Sequence, residues 1–318
     1  MPNTSPPPKR KITIIINPAS GLRRDAEQVI RNFLDDYTDR LDATIHLTQA
    51  SGDATRFARA AVESGAELVA AYGGDGTMME AAVGVMHTPT PLLMLPGGTA
   101  NVMALDLSVP TTLEDAMTLA LAPDLTVRSV DMGELDGTHF LLRVGIGYEA
   151  EMSARTARGD KSKKGRMAYI ERGLALLRRL RYTSYVLTID GQKHVRRGVT
   201  CLICNSTHIG VPNLRLTHNS DVSDGVLDVF VLRDFAPGTL LKTLFHILRS
   251  LLHRTKPTGS VHIDHWQGKH ITVQMRRRQF VGRDGEPLKR SKRVTAQVLP
   301  AALRVVVPSY ALPSGGRP

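Results

Sequence analysis

Cysteine, tryptophan and aromatic residues in general are scarce: two Cys, one Trp and 5% aromatics among 318 residues. Two cysteines build no disulfide framework. Cys201 and Cys204 have C-x-x-C spacing, but no second pair exists to complete a zinc site. They fall in the β-like run Gly-Val-Thr-Cys-Leu-Ile-Cys-Asn, where an offset of three puts them on opposite faces, so buried thiols are expected. With few aromatics the basic residues have no stacking platform, and zinc-finger, basic-zipper and single-strand-binding patterns are missing, so nucleic acid is not an expected partner. No apolar run approaches the roughly 18–20 residues that cross a bilayer. Met1 to Lys11 carries prolines and charges without an apolar segment ending in a cleavage site, which makes a cytoplasmic protein the expectation. The G-x-x-x-x-G-K-[ST] spacing, the protein kinase set and G-x-S-x-G are absent, and Gly145-Ile146-Gly147 lacks the third glycine of a dinucleotide loop.

What is present is enough apolar material, 42% of residues, for a large core in one large or two ordinary domains. Forty-one Lys and Arg against thirty Asp and Glu give a formal charge of +11. That surplus favours an anionic partner, a nucleotide or an anionic membrane.

The first third alternates strand-like and helix-like segments. Lys11 to Asn17 reads as a strand ended by Pro18-Ala19-Ser20-Gly21. Asp25 to Tyr37 is a helix with Ala26, Val29, Ile30, Phe33 and Leu34 inward. Ala43 to Leu47 is the next strand, and Asp53 to Ser64 the next helix. Such alternation predicts a parallel sheet covered on both faces, with ligand beyond the carboxyl ends of its strands. After about Ala122 extended runs dominate: 127–135, 138–144, 183–189, 199–204, 226–232, 270–275 and 293–298. The expected fold is therefore α/β plus all-β. An α/β domain with a parallel sheet spans 1–134, a mostly antiparallel β-sandwich 135–300, and a segment at 301–318, containing the run 303–307, could return to the first domain. Amphipathic helices are expected at Met167–Arg181 and Thr239–His253. Their basic flanks, with the charged stretch Asp160 to Arg166, suit either an anionic membrane or the outside of a domain.

Two glycine loops carry the chemistry. Ala-Tyr-Gly-Gly-Asp-Gly-Thr (71–77) follows the apolar run 68–70, and Leu-Pro-Gly-Gly-Thr-Ala-Asn (95–101) follows 92–94. Glycines let backbone N–H groups close on an anion, and the next helix adds its positive end. Asp75 is suited to orient Mg²⁺ beside a phosphate, or simply to cap a turn, and Thr77 adds a hydroxyl. Asn17 brings a further polar group to the same edge.

Six segments in order resemble a bacterial member of the diacylglycerol kinase catalytic family, to which sphingosine and ceramide kinases also belong. They are Ile-Ile-Asn-Pro-Ala-Ser-Gly (15–21), Thr-Gln-Ala-Ser-Gly-Asp-Ala (48–54), Gly-Gly-Asp-Gly-Thr (73–77), Pro-Gly-Gly-Thr-Ala-Asn (96–101), Ser-Asp-Gly-Val-Leu-Asp-Val (223–229) and Asp-Gly-Glu (284–286). The resemblance implies ATP as donor, a lipid alcohol such as diacylglycerol as acceptor, Mg²⁺, and a nucleotide cleft between the two domains. It assigns nucleotide contacts to Asn17, Thr48, Gly73, Gly74, Asp75, Gly76, Thr77, Gly98, Thr99 and Asn101. Asp284 matches the general base, with Asp75 the other catalytic carboxylate. A structural Mg²⁺ is implied at Asp221, Asp224, Val226 and Glu286, in part through backbone carbonyls. Peripheral contact with an anionic inner membrane face follows from such a substrate, and a homo-oligomer stays open. Two positions depart from the family pattern: Val102 stands where an Asp is common, and Glu149 replaces an Asp after Gly-x-Gly. A sphingoid-base kinase, an NAD kinase, which also uses Gly-Gly-Asp-Gly-Thr, and a nonenzymatic nucleotide sensor are the alternatives.

Overall fold

The computed structural model describes residues 9–21, 23–157, 182–211, 214–217, 220–233 and 263–311. The expected helices at 167–181 and 239–253 and the charged stretch 160–166 lie outside them. In chain order the elements begin with β1 (Arg10–Ile16), α1 (Ala26–Asp36), β2 (Leu41–Leu47), α2 (Asp53–Glu63), β3 (Leu68–Gly73), α3 (Asp75–Val85) and β4 (Leu92–Pro96). There follow α4 (Val102–Asp106), α5 (Leu113–Thr118), β5 (Val127–Leu135), β6 (Thr138–Phe140), β7 (Arg143–Gly147) and α6 (Tyr148–Ala157). The remainder is β8 (Thr183–Ile189), β9 (Gln192–Gly198), β10 (Thr200–Cys204), β11 (His208–Val211), β12 (Leu214–Arg215), β13 (Leu227–Leu232), β14 (Ile263–Gly268), β15 (His270–Arg283) and β16 (Glu286–Val306).

The chain divides into two compact units, each assembled from separate stretches of sequence. The first comprises Met1–Met132, Ser206–Gly225 and Leu299–Pro318; the second, Gly133–Asn205 and Val226–Val298.

In the first unit β2, β1, β3 and β4 pair in parallel, and Val305 of β16 lies beside Leu92 of β4, also in parallel. Interior parallel strands are covered on both faces, so they need unbroken apolar runs. Ile12 and Ile14–Ile16 supply one in β1, interrupted by the buried Thr13, and every residue of β3 is buried. The helices bury single stripes: Ala26, Ile30 and Leu34 in α1, Ala54, Ala58 and Ala61 in α2. The small α2 stripe lets α3 come close, since a Cβ placed on Gly84 would stand 2.5 Å from that of Ala58.

The second unit is antiparallel. β14, β13, β10, β7 and β15 follow one another, β15 also pairs with β8 and β16, and β8 with β9. Its core gathers Phe140, Ile146, Tyr185, Leu187, Val229 and Val273. Cys201 and Cys204 are free and fully buried, as expected for opposite faces of an interior strand. Burial pushes both thiols up, Cys204 to about 12, so neither ionises near neutrality.

Three strand assignments need correction. The run 138–144 is two strands, β6 and β7, interrupted at Leu141-Leu142, whose N–H groups donate to the Asp284 carboxylate. The runs 293–298 and 303–307 belong to one strand, β16, and 270–275 extends to Arg283. Among the described residues no helix is long and apolar enough to cross a membrane.

Candidate active site

The parallel order of the first unit brings the carboxyl ends of β4, β3, β1 and β2 to one edge. Four segments follow those ends: 97–101, 74–77, 17–21 and 48–52. The two glycine loops are in direct backbone contact. The Gly97 N–H donates to the Gly73 carbonyl at 2.9 Å, and a Cβ on Gly98 would lie 2.6 Å from the Gly74 Cα. Only glycine permits that approach. Asn101 closes the second loop: its Oδ1 accepts the Gly98 N–H at 2.8 Å and its Nδ2 donates to the Gly98 carbonyl at 2.9 Å. Its backbone is left-handed, φ 46°, a conformation Asn tolerates better than most residues.

Asp75 opens α3, and its Oδ1 accepts the Val102 N–H at 2.7 Å. The carboxylate thus caps α4 rather than its own helix. Val102 itself is buried in the apolar interior, so the side chain at this departure from the family pattern packs against the core. Asn17 donates through Nδ2 to the buried Thr77 Oγ1 at 3.0 Å while its Oδ1 accepts the Ala19 N–H at 3.0 Å. Gly74, Asp75 and Gly76 are half-buried and Thr99 is exposed, leaving the loop edge accessible.

Thr48 is fixed by its N–H on the Ile16 carbonyl, 2.9 Å. The next residues are held by Asp53, whose place in the 48–54 segment gives no sign of this role. Its Oδ2 accepts the N–H groups of Gln49 and Ala50 at 2.8 and 3.0 Å, and Oδ1 pairs with Arg56 at 2.8 Å. The Arg56 hydrogen bond first, then these two N–H groups, hold its carboxyl down at about 2.

The implied structural metal residues divide between the units: Asp221 and Asp224 belong to the first, Val226 and Glu286 to the second. Asp221 is paired with Arg128 and accepts the Ser223 N–H at 2.9 Å, while Asp224 accepts the Asp221 N–H at 3.3 Å. A cation at Asp221 therefore competes with a guanidinium. Among the described residues no three His, Cys, Asp or Glu side chains form a metal cage. A further carboxylate, Asp131 on β5, went unnoticed in the sequence. It is buried, and it ties Gly225 N–H to Ala301 N–H, both at 2.7 Å, so one side chain clasps two segments far apart in sequence. Its only local signal is a carboxylate between two buried apolar neighbours, Val130 and Met132.

In the second unit Asp284 and Gly285 form the turn between β15 and β16, with φ 48° and 83°. Asp-Gly with both residues left-handed matches the twist of a two-residue hairpin. The Asp284 carboxylate reaches back to β7 and its approach, accepting N–H groups of Leu141 (2.8 Å), Leu142 (2.8 Å) and Arg143 (2.9 Å). Burial raises its pKa, against the pull of those donors and of Arg283. Glu149, in the first turn of α6, lies over Gly145: a Cβ there would meet Glu149 Oε2 at 1.5 Å. Desolvation raises its pKa, Arg143 at 4.0 Å opposes, and Asp284 adds to the rise. Two carboxyls with raised pKa values and one guanidinium thus share a neighbourhood, a pattern common where protons are moved.

Residues 11–135 match the family model for the diacylglycerol kinase catalytic domain, and residues 143–307 that for the YegS C-terminal NAD kinase beta sandwich-like domain. A protein of Pseudomonas fluorescens named "Probable lipid kinase YegS-like" is 30% identical over 86% of this chain and 89% of its own length. A Bacillus subtilis protein named diacylglycerol kinase is 26% identical over 87% of this chain and 90% of its own. In fold, the chain is similar to the crystal structure of a diacylglycerol kinase from Bacillus anthracis, with TM-score 0.68 at 21% identity over 95% of this chain and 98% of that one. Two family models in tandem cover most of the chain, including the glycine loops and most of the sandwich strands, and on that ground the chain belongs to the diacylglycerol kinase catalytic family of lipid kinases.

Proposed function

We propose that this chain transfers the γ-phosphoryl group of ATP to the hydroxyl of a diacylglycerol-like lipid. The observation that carries the reading is the contact between the glycine loops, Gly97 on Gly73 and Gly98 against Gly74, at the carboxyl edge of the parallel sheet. Paired loops of this kind present N–H groups and helix starts to phosphate oxygens. Phosphoryl transfer asks chiefly for positioning and for stabilisation of charge on the transferred group. Asn17, Thr48, Gly73, Gly74, Gly76, Thr77, Gly98, Thr99 and Asn101 hold and orient the nucleotide. Asp75 is the oxygen donor suited to Mg²⁺, which when bound neutralises phosphate charge. Asp284 receives the proton of the acceptor alcohol on what acceptor capacity its N–H bonds leave, and Glu149 is the neighbouring carboxyl able to share it. In the first unit Asp221 and Asp224 are the carboxylates suited to the proposed structural cation, which would displace Arg128 from Asp221.

A second reading, NAD kinase, draws on the NAD kinase-like description of the matching sandwich model. Labelled ATP offered with a panel of diacylglycerol, monoacylglycerol, phosphatidylglycerol, sphingosine, ceramide and NAD tests both. Phosphorylated diacylglycerol is the expected product. Sphingosine phosphate alone overturns the acceptor, NADP alone overturns the lipid, and ATP binding without any product leaves a nucleotide sensor.

A further inference from the structure

Strands β15 and β16 carry a dense run of cations well away from the hairpin turn. Between Gln274↔Arg293 and Gln279↔Ser291 the register shifts, so that Met275 to Arg278 stand opposite Lys292 alone. The surplus residues include Arg276, Arg277 and Arg278, all exposed. On the partner strand Arg290, Lys292 and Arg293 are exposed too, and the Arg290 Nη2 donates to the Arg278 carbonyl at 3.4 Å, joining the two groups. None of these six makes an ion pair with a described residue, whereas nearby Lys289 is taken by Asp136 at 2.8 Å. Between residues 276 and 293 the only acids are Asp284 and Glu286, at the turn.

Like charges held this close repel and destabilise a free surface, so their concentration at one bulge calls for an anionic partner. The rings nearby are covered by the chain's own cations: Arg290 lies 4.7 Å from the centre of Phe280, and Arg197 5.5 Å from that of Tyr182. Among the described residues nearby, bases would find no open ring to stack on, which disfavours single-stranded nucleic acid. Leu288, 40% exposed in the same hairpin, suits the apolar margin of a bilayer instead.

We propose that the Arg276–Arg278 bulge with Arg290, Lys292 and Arg293 is the face by which this chain docks on anionic phospholipid headgroups. The idea rests on the lipid-kinase reading for its partner and specifies which surface meets the membrane. Attraction is electrostatic and peripheral. Asp284 lies six positions before Arg290 in sequence, roughly 20 Å at about 3.3 Å per strand residue, so docking here holds the turn at a set distance from the headgroups.

Co-sedimentation of the full chain with vesicles of phosphatidylcholine alone, or with 30% phosphatidylglycerol (a composition set for the assay), tests this. Binding should require the anionic lipid and weaken with salt. At about a fivefold loss per cation removed, R276Q/R277Q/R278Q should bind about 100-fold more weakly. R290Q/K292Q/R293Q should weaken binding similarly, giving a second variant if the first melts early. R31Q/R59Q/R304Q, an equal charge change on exposed residues of the first unit, should bind within about threefold of wild type. Wild-type-like binding by both hairpin variants, equal losses in the control, or hairpin-dependent binding to RNA without vesicle binding would each overturn the proposal. The same variants are assayed on detergent-dispersed lipid. Absence of phospholipid product from wild type there defeats the kinase reading, while vesicle binding is scored without ATP and stands or falls separately.

Discussion

Asp75 and Val102, at the starts of different helices, are joined by a carboxylate-to-N–H hydrogen bond of 2.7 Å that ties the first glycine loop to the helix following the second. One side chain therefore sets loop geometry and offers oxygen to a cation. Asp75→Asn keeps an acceptor for Val102 and loses the charge. Its melting temperature should stay within about 2 °C of wild type while turnover falls by about 100-fold or more. Asp75→Ala should lose both, with about 1–3 kcal/mol of stability gone. Thermal melts beside a labelled-ATP assay separate these roles, and full turnover in Asp75→Asn would remove Asp75 from the chemistry.

The two glycines facing each other are not equivalent. A Cβ on Gly98 meets the Gly74 Cα at 2.6 Å, backbone against backbone, whereas a Cβ on Gly74 meets the Gly98 Cα at 3.6 Å, an ordinary contact. Gly98→Ala should cost about 1–3 kcal/mol and weaken ATP binding about tenfold or more, and Gly74→Ala should leave stability nearly unchanged. Denaturant titration with nucleotide binding by calorimetry checks the asymmetry; equal stability loss in both variants contradicts it.

Asp284 serves its turn as well as any chemistry. Asparagine there points an amide NH₂ at N–H groups the carboxylate now accepts, so Asp284→Asn should lower stability by about 1–3 kcal/mol. Turnover should vanish while ATP still binds. Wild-type-like turnover would sink the assignment of Asp284 as base and leave it a turn anchor.

Glu149 gives a pH signature. Its folded pKa is raised above the ordinary 4.5, mainly by desolvation, so the native state holds the proton more tightly than the unfolded chain. That contribution is complete below 4.5 and is lost as pH rises through the folded value. Glu149→Gln should therefore raise the melting temperature by about 1–3 °C at pH 7.5 and leave it unchanged at pH 4. An equal effect at both pH values argues against a titrating Glu149.

By itself the sequence determined the parallel α/β frame, the antiparallel character of the later strands, both glycine loops and the burial of the cysteines. Each is written within a few neighbours: the apolar runs Ile14–Ile16 and Leu68–Tyr72, the stripe Ala26, Ile30, Leu34, the glycines that bend a chain. Only the tertiary structure decided that Ser206–Gly225 and Leu299–Pro318 join the first unit, that Asp131 clasps Gly225 to Ala301, and that Asp284 is held by residues more than a hundred positions away. It alone revealed Asp75 as a cap for another helix and Glu149 as a desolvated neighbour of Asp284. These facts depend on which distant backbone groups a carboxylate meets. A periodic pattern records the face a residue turns to the core, not the N–H group that waits for it there.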